Sequence, residues 1–154
     1  MNNCTLENIR KQMLYYKSLG DNTLSKIKEE DFFWKYNECS NSIATLIKHL
    51  SGNMLSRWTD FMNTDGEKEW RNRTEEFENT ITNRQELIDK WEKGWNCFFN
   101  ALENIKNEDL EKEILISNQK IILNDAINKQ VAHYPYHVGQ IVFIGKMICN
   151  CDYN

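Results

Sequence analysis

The chain has 154 residues, of which 40% are hydrophobic and 27% are charged, a balance typical of one globular domain with a substantial core. We therefore treat residues 1–154 as a single domain. The net charge is −4, and the lysines and arginines are scattered among acidic residues, which argues against nucleic acid as a partner. The sequence contains neither an apolar stretch of about 20 residues nor a signal-peptide pattern, so we expect a cytoplasmic protein without a membrane partner.

The five cysteines are odd in number and show no paired spacing that would indicate a disulfide framework. Cys149 and Cys151 form a Cys-x-Cys pair that could bind a metal or become oxidised. In a reducing cytosol, reduced and incidental thiols are the expected state of all five.

The single proline, the six glycines and long stretches of 3.6-residue periodicity favour an all-α protein. The apolar pattern predicts four amphipathic helices, over residues 3–27, 41–62, 83–105 and 123–148. Helices of this number and length indicate a four-helix bundle. The second helix is predicted to begin at Asn41 or Ser42, both of which are suitable N-caps. Gly20 lies on the apolar stripe of the first helix and predicts close approach of another helix, with a break near residues 22–23 as the alternative.

Three connections join these helices. Residues 28–41 contain Phe32, Phe33 and Trp34, which we expect to cover one end of the core. Residues 63–82 are polar and irregular, and a connection of this length is usually functional or mobile. The segment 110–123 has a Ser-Asn centre between β-branched runs, which predicts a short hairpin before the last helix.

Pro135 lies inside the predicted fourth helix, where it cannot donate a hydrogen bond to the carbonyl of Val131. Because the apolar pattern continues to residue 148, we predict one helix with a kink rather than two helices. The distinction matters, since a complete break would separate His133 from His137.

The chain has three histidines, and each lies on a predicted helix. His133 and His137 are four residues apart, so their side chains leave the same helix face about one turn apart. His49 lies in the second helix and could supply a third imidazole to a shared metal ion. The alternative is that the histidines are packed, hydrogen-bonded residues. The His-x-x-x-His pair lacks the intervening glutamate of the metalloprotease signature, which weakens a zinc peptidase hypothesis.

Three segments resemble the DinB/YfiT-like superfamily of proposed metalloenzymes: Ile47-Lys-His-Leu-Ser-Gly-Asn-Met-Leu55, Trp70-Arg-Asn-Arg73 and His133-Tyr-Pro-Tyr-His-Val-Gly-Gln-Ile141. The His…His-x-x-x-His-x-Gly-Gln arrangement is the most specific mark of that superfamily, and the other two segments resemble a bacterial subgroup of unknown function. The order of elements matches over nearly the whole chain. Pro135 departs from the pattern, because relatives usually have a small or polar residue there.

The resemblance implies a four-helix bundle with DinB/YfiT-like topology, usually a homodimer. It also implies that His49, His133 and His137 bind nickel, zinc or another divalent metal ion. Three imidazoles leave coordination positions open, which is typical of reactive metal sites that lower the pKa of a bound water or thiol. Two activities of similar proteins use such a site, namely transfer of a low-molecular-weight thiol to an electrophile and thiol-assisted isomerisation.

We therefore expect a metal-dependent enzyme of the thiol-transferase or hydrolase type, with a small-molecule substrate and a low-molecular-weight thiol as co-substrate. The alternative is a non-catalytic metal-binding or interaction protein of the same fold, because no general base can be named from the sequence. A zinc metallopeptidase is the third hypothesis.

Asn53, Gly139 and Gln140 are candidates for supporting roles near the histidines. Asn53 lies one turn from His49 and could contact an exogenous ligand, or it could be an ordinary polar residue of the helix surface. Gly139 is expected to permit tight packing against the first helix. Gln140 is expected to bind a neighbouring backbone group or to orient a metal ligand.

Arg71 and Arg73 place two guanidinium groups in the long connection between the second and third helices. They could hold the carboxylate of a substrate or of a thiol cofactor. The alternative is a structural ion pair with Glu75, Glu76 or Glu78.

Overall fold

The structure is a computed structural model and describes residues 4–78 and 80–149. In chain order it contains the helices α1 (Cys4–Lys26) and α2 (Ile43–Trp58), the single-turn helix α3 (Arg73–Glu76), and helix α4 (Arg84–Asn104). A hairpin of β1 (Glu113–Ile116) and β2 (Gln119–Ile122) follows, and helix α5 (Leu123–Cys149) comes last. The predicted all-α bundle of four long helices and the predicted hairpin are therefore both confirmed.

The four long helices pack as two main pairs, α2 along α4 and α1 along α5. Their apolar stripes meet in a core rich in aromatic rings, where Trp91, Trp95, Phe98 and Tyr134 are at most 2% exposed. Trp58 is also buried. The tryptophans of α2 and α4 thus serve the packing of the bundle.

The predicted helix bounds are close to the observed ones except at the end of α2. That helix begins after the N-cap Ser42, whose hydroxyl accepts a hydrogen bond from the backbone N–H of Thr45, and it ends at Trp58 instead of residue 62. Thr59 is extended, and Asp60 has a φ of 46°, so the backbone cannot continue as a helix. The predicted connection 63–82 contains α3, and residue 3, the predicted start of α1, lies outside the described residues.

The predicted aromatic cover of the core is confirmed in part. Phe32 is fully buried and Phe33 packs against the core, but Trp34 is 37% exposed. Trp34 follows a single turn of 3-10 helix at Glu30–Phe33, and its extended backbone carries the chain away from the core.

Helix α5 is continuous through Pro135. His133 and His137 therefore stay on one helix, as predicted, and a break between them is excluded. Pro135 itself is half-buried.

The hairpin is tied to the connection between α2 and α3. Its two-residue turn, Ser117 and Asn118, has positive φ angles of 53° and 61°, the combination that suits a tight hairpin. The carboxylate of Asp65 accepts hydrogen bonds from the backbone N–H groups of Ser117 (2.8 Å) and Asn118 (2.6 Å). Gly66 also donates its N–H to the carbonyl of Leu115. These bonds hold in place a connection that contributes to the candidate site.

Two glycines of long helices have different surroundings. A Cβ atom on Gly20 would lie 2.6 Å from Cζ2 of Trp91, which confirms the predicted close approach of another helix. A Cβ atom on Gly139 would meet no atom within 4 Å, so the predicted tight packing of Gly139 against α1 is wrong. Gly139 lies on an exposed face of α5. Whether a helical glycine faces another helix or solvent depends on how its own helix is rotated in the bundle.

The two glycines make a matched pair for a stability test. Gly20→Ala is expected to lower the free energy of unfolding by about 1–3 kcal/mol, because the buried Trp91 ring cannot move aside without repacking. Gly139→Ala is expected to raise it by about 0.5–1 kcal/mol, because alanine has less backbone entropy to lose in an open helical position. Urea denaturation of the metal-free variants measures both changes. Equal effects at the two positions would contradict the packing described for α1 and α4.

No described helix is long and apolar enough to cross a bilayer. Cys39 is exposed and Cys97 is half-buried, and neither forms a disulfide. Cys151 and the side chain of Cys4 lie outside the described residues, so the predicted Cys149/Cys151 pair is only partly within them.

Candidate metal centre

The three histidines meet where α2 faces α5. His49 lies in the middle of α2 and is 8% exposed, while His133 and His137 lie on successive turns of α5 and are half-buried. The Nε2 atom of His133 is 3.3 Å from Nε2 of His49 and 3.0 Å from Nε2 of His137. The three possible ligand atoms all lie within 4.8 Å of one another. The structure thus brings together the three residues that the sequence nominated.

The other ring nitrogen of each histidine is held by an oxygen atom. Nδ1 of His49 lies 2.9 Å from Oε2 of Glu76. Nδ1 of His133 lies 3.1 Å from Oε1 of Gln130, and Nδ1 of His137 lies 2.8 Å from Oε1 of Gln140. Carboxylate and amide oxygens accept hydrogen bonds, so each Nδ1 carries the hydrogen and donates it. Outer partners of this kind orient metal-binding imidazoles.

This arrangement suits a cation between the rings. In a neutral imidazole that carries its hydrogen on Nδ1, the Nε2 atom has a lone pair and no hydrogen. Three such lone pairs face one another here, and no hydrogen is available to form a hydrogen bond between them. Two nitrogens that share a tetrahedral zinc ion at about 2.05 Å lie about 3.3 Å apart. The observed separations of 3.0 and 3.3 Å are close to that value. The residues present therefore fit a divalent metal ion.

The two histidines of α5 are held in the neutral form that a metal requires. Burial, together with the neighbouring imidazoles His137 and His49, lowers the pKa of His133 to about 4. Burial also lowers the pKa of His137, against the opposing effect of its hydrogen bond with Gln140. A ligand that is already neutral at pH 7 need not release a proton when a metal binds.

Glu76 belongs to a buried chain of charges behind His49. Arg71 donates from Nε to Oε1 of Glu76 (2.7 Å) and from Nη2 to Oε2 (3.2 Å), and its Nη1 lies 3.4 Å from Oε1 of Glu67. Burial alone would raise the pKa of the Glu76 carboxyl, but the hydrogen bonds from His49 and Arg71 lower it below its usual value. Glu76 is therefore an ionised acceptor that fixes the His49 ring.

A glycine makes room for this carboxylate. Gly52 of α2 is so close to Oε1 of Glu76 that a Cβ atom at this position would clash with it. The absence of a side chain lets the end of α3 approach α2 next to His49.

The structure places the predicted supporting residues as follows. Gln140 orients His137, one of the two roles expected of it. The side chain of Arg71 is 3% exposed and forms ion pairs with Glu76, one of the partners named in the structural alternative, and with Glu67, which was not among them. Arg73 is exposed at the start of α3. Oδ1 of Asn53 accepts a hydrogen bond from the hydroxyl of Tyr134 (3.1 Å), which also accepts one from Nε1 of Trp58.

Two residues contact the histidines in ways that the sequence did not predict, and one of them, Glu76, was expected only as a possible partner of Arg71. Gln130 precedes His133 by three residues, just as Gln140 follows His137 by three, and this symmetry was a usable signal. Glu76 is 27 residues from His49 and lies in a polar stretch with several other glutamates, so no local pattern singles it out.

The pattern of one protein family, described as "Protein of unknown function (DUF1572)", matches residues 1–154. The chain belongs to the DUF1572 family. A comparison with curated proteins gave no match. Among solved structures, this DUF1572 protein is similar to a DinB-like protein from Bacillus cereus ATCC 10987, with a TM-score of 0.68 and 14% sequence identity over 92% of this chain and 91% of that chain. This likeness shows a DinB-like fold, which confirms the predicted topology of the bundle.

Proposed function

We propose that this DUF1572 protein is a metal-dependent enzyme in which His49, His133 and His137 hold a divalent ion, with nickel or zinc as the first candidates. One observation carries the proposal: three Nε2 lone pairs converge while every Nδ1–H is committed to an oxygen acceptor. A packing role would require only that each ring satisfies its own hydrogen bonds, and it does not explain why three acceptors face one another.

The proposed reaction is transfer of a low-molecular-weight thiol to an electrophilic small molecule, with hydrolysis as the related possibility. When bound, a divalent ion with an open position lowers the pKa of a thiol or water and so supplies a nucleophile near neutral pH. The role of the chain is to hold the rings: Glu76, Gln130 and Gln140 each fix one imidazole, and Arg71 keeps Glu76 ionised and in place.

A non-catalytic metal-binding or interaction protein is the second candidate. One observation favours it. Glu76 is the carboxylate that contacts the histidines in the described part of the chain, and it is already hydrogen-bonded to His49 and Arg71. Glu76 is therefore not available as a general base. The homodimer, the cytoplasmic location, the small-molecule substrate and the lack of nucleic acid or membrane partners stay predictions.

Metal addition provides the first test. Protein stripped with a chelator is expected to gain about 2.7 kcal/mol in free energy of unfolding when free zinc or nickel reaches 100 times its Kd, because the metal binds the folded site preferentially. Thermal denaturation with and without metal measures this gain. Calcium, which prefers oxygen ligands, is the control and should have little effect. Equal stability with and without zinc and nickel would contradict the metal centre.

Turnover separates the enzyme from the binding protein. The metal-loaded protein is mixed with L-cysteine and 1-chloro-2,4-dinitrobenzene, in which thiolate attack forms a C–S bond, chloride leaves and the thiol proton passes to the buffer. A rate above that of the chelated protein supports the enzyme. Stoichiometric metal binding without acceleration, repeated over a panel of small thiols and electrophiles, would favour the non-catalytic protein.

A further inference from the structure

Two exposed aromatic rings lie against the candidate metal centre. The ring centroid of Phe77 is 5.6 Å from that of His49, and Phe77 is 48% exposed. The ring centroid of Tyr136 is 4.9 Å from that of His137, and Tyr136 is 62% exposed. The two rings come from different parts of the chain, and each contacts a different histidine.

The backbone of both residues lies in, or directly after, helices that also carry residues of the site. Phe77 follows Glu76 directly and caps α3, with its N–H bonded to the carbonyl of Thr74 at 3.1 Å. Tyr136 is the neighbour of His137 inside α5. Both residues therefore belong to the elements that orient His49 and carry His137.

Neither ring is a member of the buried core or of the side chains packed against it. Large apolar side chains that stay exposed next to a reactive group are typical of ligand sites, where a few polar or metal contacts are surrounded by aromatic walls. A molecule that coordinates an ion at the three Nε2 atoms lies next to the imidazole rings, two of which Phe77 and Tyr136 contact.

We infer that Phe77 and Tyr136 are specificity-determining residues that bind a planar aromatic group of the substrate, while the polar end of that substrate reaches the metal. The inference rests on the proposed metal centre and names the substrate class for it. Aromatic rings attract another ring through stacked or edge-to-face contacts, which an aliphatic group of the same polarity cannot make.

A pair of metal-directed probes isolates this effect. Benzohydroxamate and acetohydroxamate carry the same chelating group and differ in the phenyl ring. Their affinities for the zinc-loaded protein are measured by calorimetry, and chelation of the zinc should abolish the binding of both. We expect benzohydroxamate to bind about tenfold more tightly, the size expected from one or two aromatic contacts.

Variants assign the preference to the two rings. Phe77→Ala and Tyr136→Ala should each lower the affinity ratio severalfold, and the double variant should bring it close to one. Tyr136→Phe keeps the ring and should keep the ratio. Tyr15→Ala, which removes a 60% exposed ring of α1 that contacts Tyr16, is the matched control and should leave the ratio unchanged. Zinc affinity should be the same in all variants, because none removes a ligand.

The outcomes separate the two hypotheses. If zinc and acetohydroxamate bind but the ratio is the same in wild type and in both alanine variants, the aromatic site is wrong and the metal centre stands. If zinc does not bind, or binds without accepting either hydroxamate, the open metal centre and the aromatic site both fail. A ratio that falls only in the Phe77 and Tyr136 alanine variants supports the inference.

Discussion

His133→Ala is expected to lower the affinity for zinc or nickel by about 10²–10³-fold, and any metal-dependent turnover should fall with it. Zinc sites with four protein ligands bind with about 10–16 kcal/mol, so one ligand accounts for about 2.5–4 kcal/mol. His133 is the middle member of the cluster, with its Nε2 within 3.3 Å of the other two. Without His133, the site therefore loses the imidazole that lies closest to both His49 and His137. Competition against a chromogenic chelator measures the affinity.

The metal-free stability of this variant provides the control. His133 is half-buried and its removal relieves the contact between three lone pairs, so the metal-free protein should unfold at a temperature close to that of the wild type. A variant that stays folded and binds metal at wild-type affinity would exclude His133 as a ligand. A variant that unfolds would be replaced by His133→Gln, which keeps a polar side chain of similar length.

Glu76→Gln is expected to have the largest effect on stability, about 3 kcal/mol of unfolding free energy, because it removes a carboxylate that faces a buried guanidinium. The side chains of Glu76 and Arg71 are 7% and 3% exposed, so solvent cannot replace the lost charge. The same variant should weaken metal binding by about 10–100-fold, since the hydrogen bond to Nδ1 of His49 orients that ring. Chemical denaturation and metal titration measure the two effects.

Glu75→Gln is the matched control. Glu75 is the neighbour of Glu76 in α3 but is exposed, and an exposed charge contributes little to stability. The free energy of unfolding and the metal affinity should both stay at wild-type values in this variant. A Glu76→Gln protein as stable as the wild type would show that the Arg71 guanidinium is not held by Glu76 in solution.

Features that depend on neighbouring residues along the chain could be predicted. The four helices, the Ser117-Asn118 hairpin and the N-cap Ser42 follow from spacing and residue type, which act over a few residues. The shared face of His133 and His137 follows in the same way, because both lie on one helix. Gln140 belongs with them, since three residues separate it from the ligand that it orients.

Features that depend on how distant segments meet could not be predicted. Glu76 lies beside His49 at the end of α3, in a connection that Asp65 ties to the hairpin and next to Gly52, which leaves space on α2. The amino-acid sequence placed three imidazoles on two helices, since helical periodicity is a local property. The oxygen partners of His49, the open face of Gly139 and the aromatic rings beside the centre were decided by packing, because each depends on the rotation and distance of elements far apart in the chain.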